Sequence, residues 1–143
     1  MKLNSILITL LITAVSYSQT LLPGSNTLTV KNTNTAQQNY NHAARVLINN
    51  GLFIETKDSD FFTLKTETML VLGQNNLYYV FYVSCHENKI VLKGFYKPSY
   101  QTGHTRIENS KGKNGNKQPQ ISFSKLNEIA YKLGQNIEYS TTN

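Results

Sequence analysis

Three imidazoles, one thiol and a thin scatter of carboxylates are the groups in this chain that can act on a substrate. His42, His86 and His104 titrate near neutrality, and imidazole is a ready zinc ligand. They lie far apart, however, and neither His-x-x-x-His nor Cys-x-x-Cys occurs, so no metal site is expected. His104, close to Arg106 in a long polar stretch, is the best placed of the three for acid–base work, because long loops are either functional or linkers. His42 reads as a solvated helix residue and His86 as the end of a hairpin. Cys85-His86 has the form of a nucleophile beside its base, yet neighbours on a strand point to opposite faces, and Cys85 reads as a buried, inert thiol. Asp58 and Asp60 share a turn and lack the six or more oxygen ligands of a calcium loop. Carboxylates paired for glycoside chemistry are not evident. Neither a Gly-rich phosphate loop nor Gly-x-Ser-x-Gly is present, so phosphoryl transfer and elbow-type esterase chemistry have no support. No catalytic residue, metal ligand or cofactor is assigned.

Two surface features remain. The stretch around 97–120 carries Lys97, Arg106, Lys111, Lys113 and Lys117 against the single carboxylate Glu108, a basic loop able to attract an anionic partner. Tyr78 and Tyr82, with Tyr96 alongside on the following strand, form an aromatic patch if all three face outward. Tyrosine suits an interface because it offers area at low entropy cost and keeps a polar tip. These residues and His104 are the candidate binding groups.

The elements that must position them follow from length and patterning. A chain of 143 residues fits one domain. Charged residues are only 15%, below the usual quarter or so, and Asn, Thr, Gln and Ser supply the missing polarity. Met1-Lys2 followed by the apolar run Ile6–Ile12 predicts a short positive end and a hydrophobic stretch of about ten residues, half of the roughly twenty that a membrane span requires. Ser16 and Ser18 precede Gln19 at the spacing of a cleavage site, so residues 1–18 read as a signal peptide. Its removal lowers the formal +6 by one and leaves no transmembrane segment. With no Cys at the cut, the product is expected to be periplasmic or secreted and not a lipoprotein. The partner expected is an envelope or secreted macromolecule, anionic if the basic loop captures it and is not simply a solvated linker; charge so thinly spread argues against nucleic acid. Cys85 alone cannot form an intramolecular disulfide, so stability rests on the hydrophobic core.

Residues 19–38 read as a tether holding one short strand, Leu28 to Lys31. Tyr40, Ala43, Ala44, Leu47 and Ile48 predict a helix over 40–50, capped by Asn39 and ended by Gly51. Two β-rich segments, 52–55 and 61–67, flank the turn Lys57–Asp60. Strand 77–86 follows Gly73–Asn76, and Glu87-Asn88 turns it into strand 89–97. The loop 98–121 holds only Tyr100 and Ile107 as sizeable apolar groups. Ser124 is read as the cap of a last helix with the stripe Leu126, Ile129, Ala130 and Leu133, and 140–143 as a frayed tail. The domain spans 39–139. The predicted architecture is α+β, order α-β-β-β-β-α, with two helices on one face of a four-stranded antiparallel sheet and the other face open.

On Ala43–Glu55, Phe61–Thr66 and Ile129-Ala130, together with the leader, the chain resembles small exported bacterial proteins of unknown function with a TBP-like (TATA-binding-protein-like) α+β fold. The resemblance implies geometry only; neither an activity nor DNA binding comes with it. The resulting functional expectation is an exported, non-enzymatic binding or envelope-associated module. A small hydrolase using His104 as general base and a toxin-neutralising, immunity-type protein are the alternatives.

Overall fold

The structure is a computed structural model that describes residues 21–70, 77–98, 102–110 and 117–142. The stretch 1–18 expected to be a signal peptide, the expected 73–76 turn, Tyr100, Lys111 and Lys113 lie outside these residues. Among the described residues ten elements follow in order: β1 (Thr27–Lys31), α1 (Ala36–Asn49), β2 (Ile54–Asp58), β3 (Thr63–Thr66), β4 (Met69–Leu70), β5 (Leu77–His86), β6 (Lys89–Pro98), β7 (Thr105–Arg106), α2 (Gln118–Leu133) and β8 (Ile137–Ser140).

All eight strands belong to one antiparallel sheet ordered β2-β3-β5-β6-β1-β8, with β4 continuing the β3 side of β5 and β7 pairing with β6 beyond the end of β1. This corrects the expectation of four strands and of the order α-β-β-β-β-α. The two long strands, β5 and β6, were legible because each is ten residues long and rich in β-branched and aromatic side chains, and a two-residue turn joins them. β4, β7 and β8 escaped because they are only two to four residues long and are held extended by the neighbours they bond to. β1 was read as a short strand, Leu28 to Lys31, but in a tether outside the sheet; it lies between β6 and β8, with Leu28 and Val30 fully buried. The tail read as frayed is likewise tied down. β8 includes Ser140, the Thr142 backbone N–H donates to Asn26 Oδ1 at 2.9 Å, and the two hydroxyls of Thr27 and Thr142 lie 2.6 Å apart.

Helix α1 starts at Ala36, earlier than expected, because Thr35 and Gln38 form a reciprocal capping box. Asn39, read as the cap, is instead a buried residue in the first turn. The C-terminal reading stands: Gly51 adopts φ +73, and Leu52 N–H reaches Leu47 O at 3.0 Å while Gly51 N–H reaches Ile48 O at 3.0 Å, a Schellman arrangement. Helix α2 starts at Gln118 and not at Ser124, because Pro119 lies in its first turn, where a missing N–H costs nothing. Ser124 donates its hydroxyl to Gln120 O at 2.9 Å within the helix.

Both helices pack on the same face of the sheet and touch each other, α1 over β3 and β5, α2 over β1 and β6. Beneath them lie Leu77, Phe81, Val83 and Cys85 of β5, Ile90 and Leu92 of β6, and Leu28 and Val30 of β1, all essentially inaccessible. Among the described residues no helix is long and apolar enough to cross a membrane.

Candidate functional site

Among the described residues no helix lies over the sheet's second face, although Val80 on it is only 3% exposed, and strand alternation decides which side chains it presents. From β5 these are Tyr78, Val80, Tyr82, Ser84 and His86. Cross-strand partners share a face, and the β5–β6 register pairs Tyr78 with Lys97, Val80 with Phe95, Tyr82 with Lys93 and His86 with Lys89. On the outer sides, Lys65 of β3 stands opposite Tyr82, Thr27 of β1 opposite Lys93, and Arg106 of β7 opposite Phe95. Reading across the sheet, Tyr82 is bracketed by Lys65 and Lys93, and the next row runs Val80, Phe95, Arg106. The open face is a checkerboard of aromatic rings and cations.

Tyr82 is 40% exposed and meets Phe95 edge to face, with ring centroids 5.6 Å apart and planes at 83°. Beside this pair lies a cleft of about 290 Å³ lined by Lys65, Thr68, Val80, Tyr82, Phe95 and His104. A second cleft of about 310 Å³ lies along Thr56, Thr63 and Ser84 and also has Lys65 and Tyr82 in its lining. Lys65 is ion-paired with Glu55, and the hydrogen bond to that carboxylate raises the ammonium pKa above its ordinary value, against the effect of desolvation. Lys31 pairs with Glu138. Among the described residues Lys93 and Lys97 enter no ion pair, so the face keeps uncompensated positive charge.

The candidate residues divide as follows. Tyr78, Tyr82, Lys97 and Arg106 share the open face, and exposed His104 joins them at the cleft edge. The Arg106 guanidinium donates to the Thr142 carbonyl. Tyr96 does not belong to the patch: it pairs with Tyr79 on the helix side and is 7% exposed. Lys117 sits at the exposed N-cap of α2. Lys65, Lys93 and Phe95 were missed, although a signal existed. A two-residue turn at Glu87-Asn88 fixes every β5–β6 pair, so Lys93 opposite Tyr82, Phe95 opposite Val80 and Tyr96 opposite Tyr79 can all be counted from it.

What holds His104 in place is Ile107. The basic loop was expected to lack an anchor, yet Ile107 is fully buried, its N–H donates to Gly94 O at 2.8 Å, and Gly94 leaves the space its side chain fills. β7 therefore stays on the β6 edge, with His104 next to it.

The remaining reactive groups are structural in their surroundings. Burial pushes the Cys85 thiol up to about 12, and the chain direction puts His86 on the other face. His42 Nε2 lies 3.2 Å from Leu133 O, bridging the two helices. Asp58 Oδ1 accepts from the backbone N–H of Asp60 and of Phe61, each at 3.0 Å, and so closes the β2–β3 turn. Among the described residues no group of three or more His, Cys, Asp or Glu side chains is placed to hold a metal ion.

No protein-family model matches the sequence, and no curated protein sequence does. Among solved structures the chain is similar to a TBP-like protein from Parabacteroides distasonis, at 13% identity and a TM-score of 0.40, over 73% of this chain and 90% of that one. The likeness is weak and lies at the level of the fold.

Proposed function

We propose that this protein is an exported, non-enzymatic binding module that captures an anionic envelope or secreted macromolecule on its open sheet face, with the basic loop alongside. The observation that carries the reading is the Lys65–Tyr82–Lys93 row: an exposed ring between two cations, on the one sheet face that no helix covers. Aromatic area supplies contact at low entropy cost, and Lys93 and Lys97, which enter no ion pair among the described residues, supply charge complementarity and a faster encounter. The Ile6–Ile12 leader supports the extracytoplasmic setting.

A hydrolase working through His104 has less support. His104 and Thr68 both line the cleft, but no carboxylate lines it among the described residues to orient the imidazole or share a proton.

Retention on a polyanionic matrix against an uncharged matrix of the same polymer, at low and at high salt, tests the binding reading. Salt-sensitive retention that is lost in the double variant Lys65→Met/Lys93→Met supports it. Equal behaviour on both matrices overturns it.

A further inference from the structure

The cleft beside Tyr82 is chemically more specific than the face around it. Half-buried Phe95 gives it apolar surface above the nearly buried Val80, Tyr82 an aromatic wall, and Lys65, Thr68 and His104 three polar groups in the lining. An apolar lining with a few convergent polar groups fits a ligand that has one greasy face and a polar, charged rim. The volume, about 290 Å³, is at the bottom of the usual range for small-molecule pockets, roughly 300–1,000 Å³, which suits one ring and not a long segment of chain.

Ring geometry selects among anionic ligands. Single-stranded nucleic acid binds on successive faces that stack successive bases. Here Tyr82 and Phe95 stand at 83°, so they form a corner and not two parallel shelves. A corner accommodates a puckered ring, which packs its C–H face against one wall and turns its substituents toward the other. The cation at this corner is Lys65, half of an exposed pair with Glu55. Such pairs contribute little, and an ammonium has three donors, so an incoming anion can share Lys65 or displace the carboxylate.

We infer that this cleft holds one uronic-acid unit of an acidic glycan, its ring in the Tyr82–Phe95 corner, its carboxylate on Lys65, and its hydroxyls at Thr68 and His104. The inference rests on the open-face reading above and names the chemistry of the polymer.

Calorimetric titration with tetragalacturonate, with uncharged cellotetraose and with a short oligothymidylate tests it. Tetragalacturonate is expected to bind at least about tenfold more tightly than either of the others, the scale of one charge-assisted hydrogen bond. Lys65→Met should weaken it by about the same factor, Tyr82→Ala should weaken it further, and Glu55→Gln should tighten it by freeing Lys65. All three side chains are at least partly exposed, so a melting curve for each variant confirms that the fold is unchanged. Binding that is indifferent to Lys65→Met and Tyr82→Ala overturns the cleft assignment while leaving open-face capture standing. Tighter binding of oligothymidylate overturns it in favour of a nucleic-acid platform. Failure of the protein to bind tetragalacturonate or any polyanionic matrix removes both readings.

Discussion

The side-chain amide of Asn39, in the first turn of α1, donates to the backbone carbonyl of His86 at 2.8 Å, and so fastens the helix to the turn between the two longest strands. The same nitrogen lies 3.3 Å from Lys89 O and 3.2 Å from Asn32 Oδ1, and Asn39 Oδ1 accepts from Asn32 Nδ2 at 2.8 Å. A fully buried amide with every polar atom engaged fixes one helix position over the sheet, because any slide leaves a buried polar group unpaired.

Asn39→Ala is therefore expected to cost about 2–3 kcal/mol, more than an ordinary hydrogen bond, since the His86 and Lys89 carbonyls lose a partner as well. Urea unfolding measures it. A loss below about 0.5 kcal/mol would mean that water replaces the amide without strain.

Gly94→Ala tests the anchor of the basic loop. A Cβ there would meet Ile107 Cδ1 at 2.7 Å and Phe81 Cδ1 at 3.0 Å, an overpacking worth about 1–3 kcal/mol. Because Ile107 follows the two-residue β7 while Phe81 lies within the ten-residue β5, hydrogen exchange at the 105–107 amides should speed up more than exchange in β5. Ile107→Val in the same chain should recover part of the loss.

Tyr82 and Tyr96 should behave as opposites. Tyr82→Ala removes a 40% exposed ring and should change stability by no more than about 1 kcal/mol while weakening polyanion capture. Tyr96→Ala empties a site under the helices and should cost about 3 kcal/mol or more. Thermal melts of the two variants decide; a large drop for Tyr82→Ala would place its ring in the core's energetics and not in the interface.

The thiol of Cys85 supplies a pH test. Its folded pKa of about 12 lies above the ordinary value of 9.0, because burial disfavours the thiolate. The folded state thus holds its proton over a window in which the unfolded chain releases it. The resulting stability is complete below pH 9 or so and falls as pH rises toward 12, by up to about 1.4 kcal/mol per unit. Burial raises the Tyr79 phenol in the same direction. Cys85→Ala should flatten the alkaline limb of a stability–pH curve, and iodoacetamide should leave the folded thiol unmodified at neutral pH and label it in denaturant.

Local pattern settles what depends on local pattern. The amphipathic stripes of α1 and α2 were legible in Tyr40–Ile48 and Leu126–Leu133, as were the alternation of β5, the turn at Glu87-Asn88, the Gly51 helix stop and the shielding of one sheet face, because each follows from the spacing of apolar groups or from a backbone conformation that few residues adopt. The exposed aromatic row was half legible: Tyr78 and Tyr82 were placed by alternation, while Phe95 and Tyr96 required register to be counted across the turn.

Only tertiary structure decided the rest. β4, β7 and β8 are strands because their neighbours offer them unpaired N–H and C=O groups, and nothing in Thr105-Arg106 or Met69-Leu70 alone would hold them extended; for β1, legible as a strand, only its place between β6 and β8 was decided this way. The space at Gly94 that receives Ile107, the burial of Asn39, and the meeting of Lys65, Tyr82 and His104 around one cleft all join residues distant in the chain. Such contacts depend on which elements stack on which, and that is set by the whole core at once and not by any window of sequence.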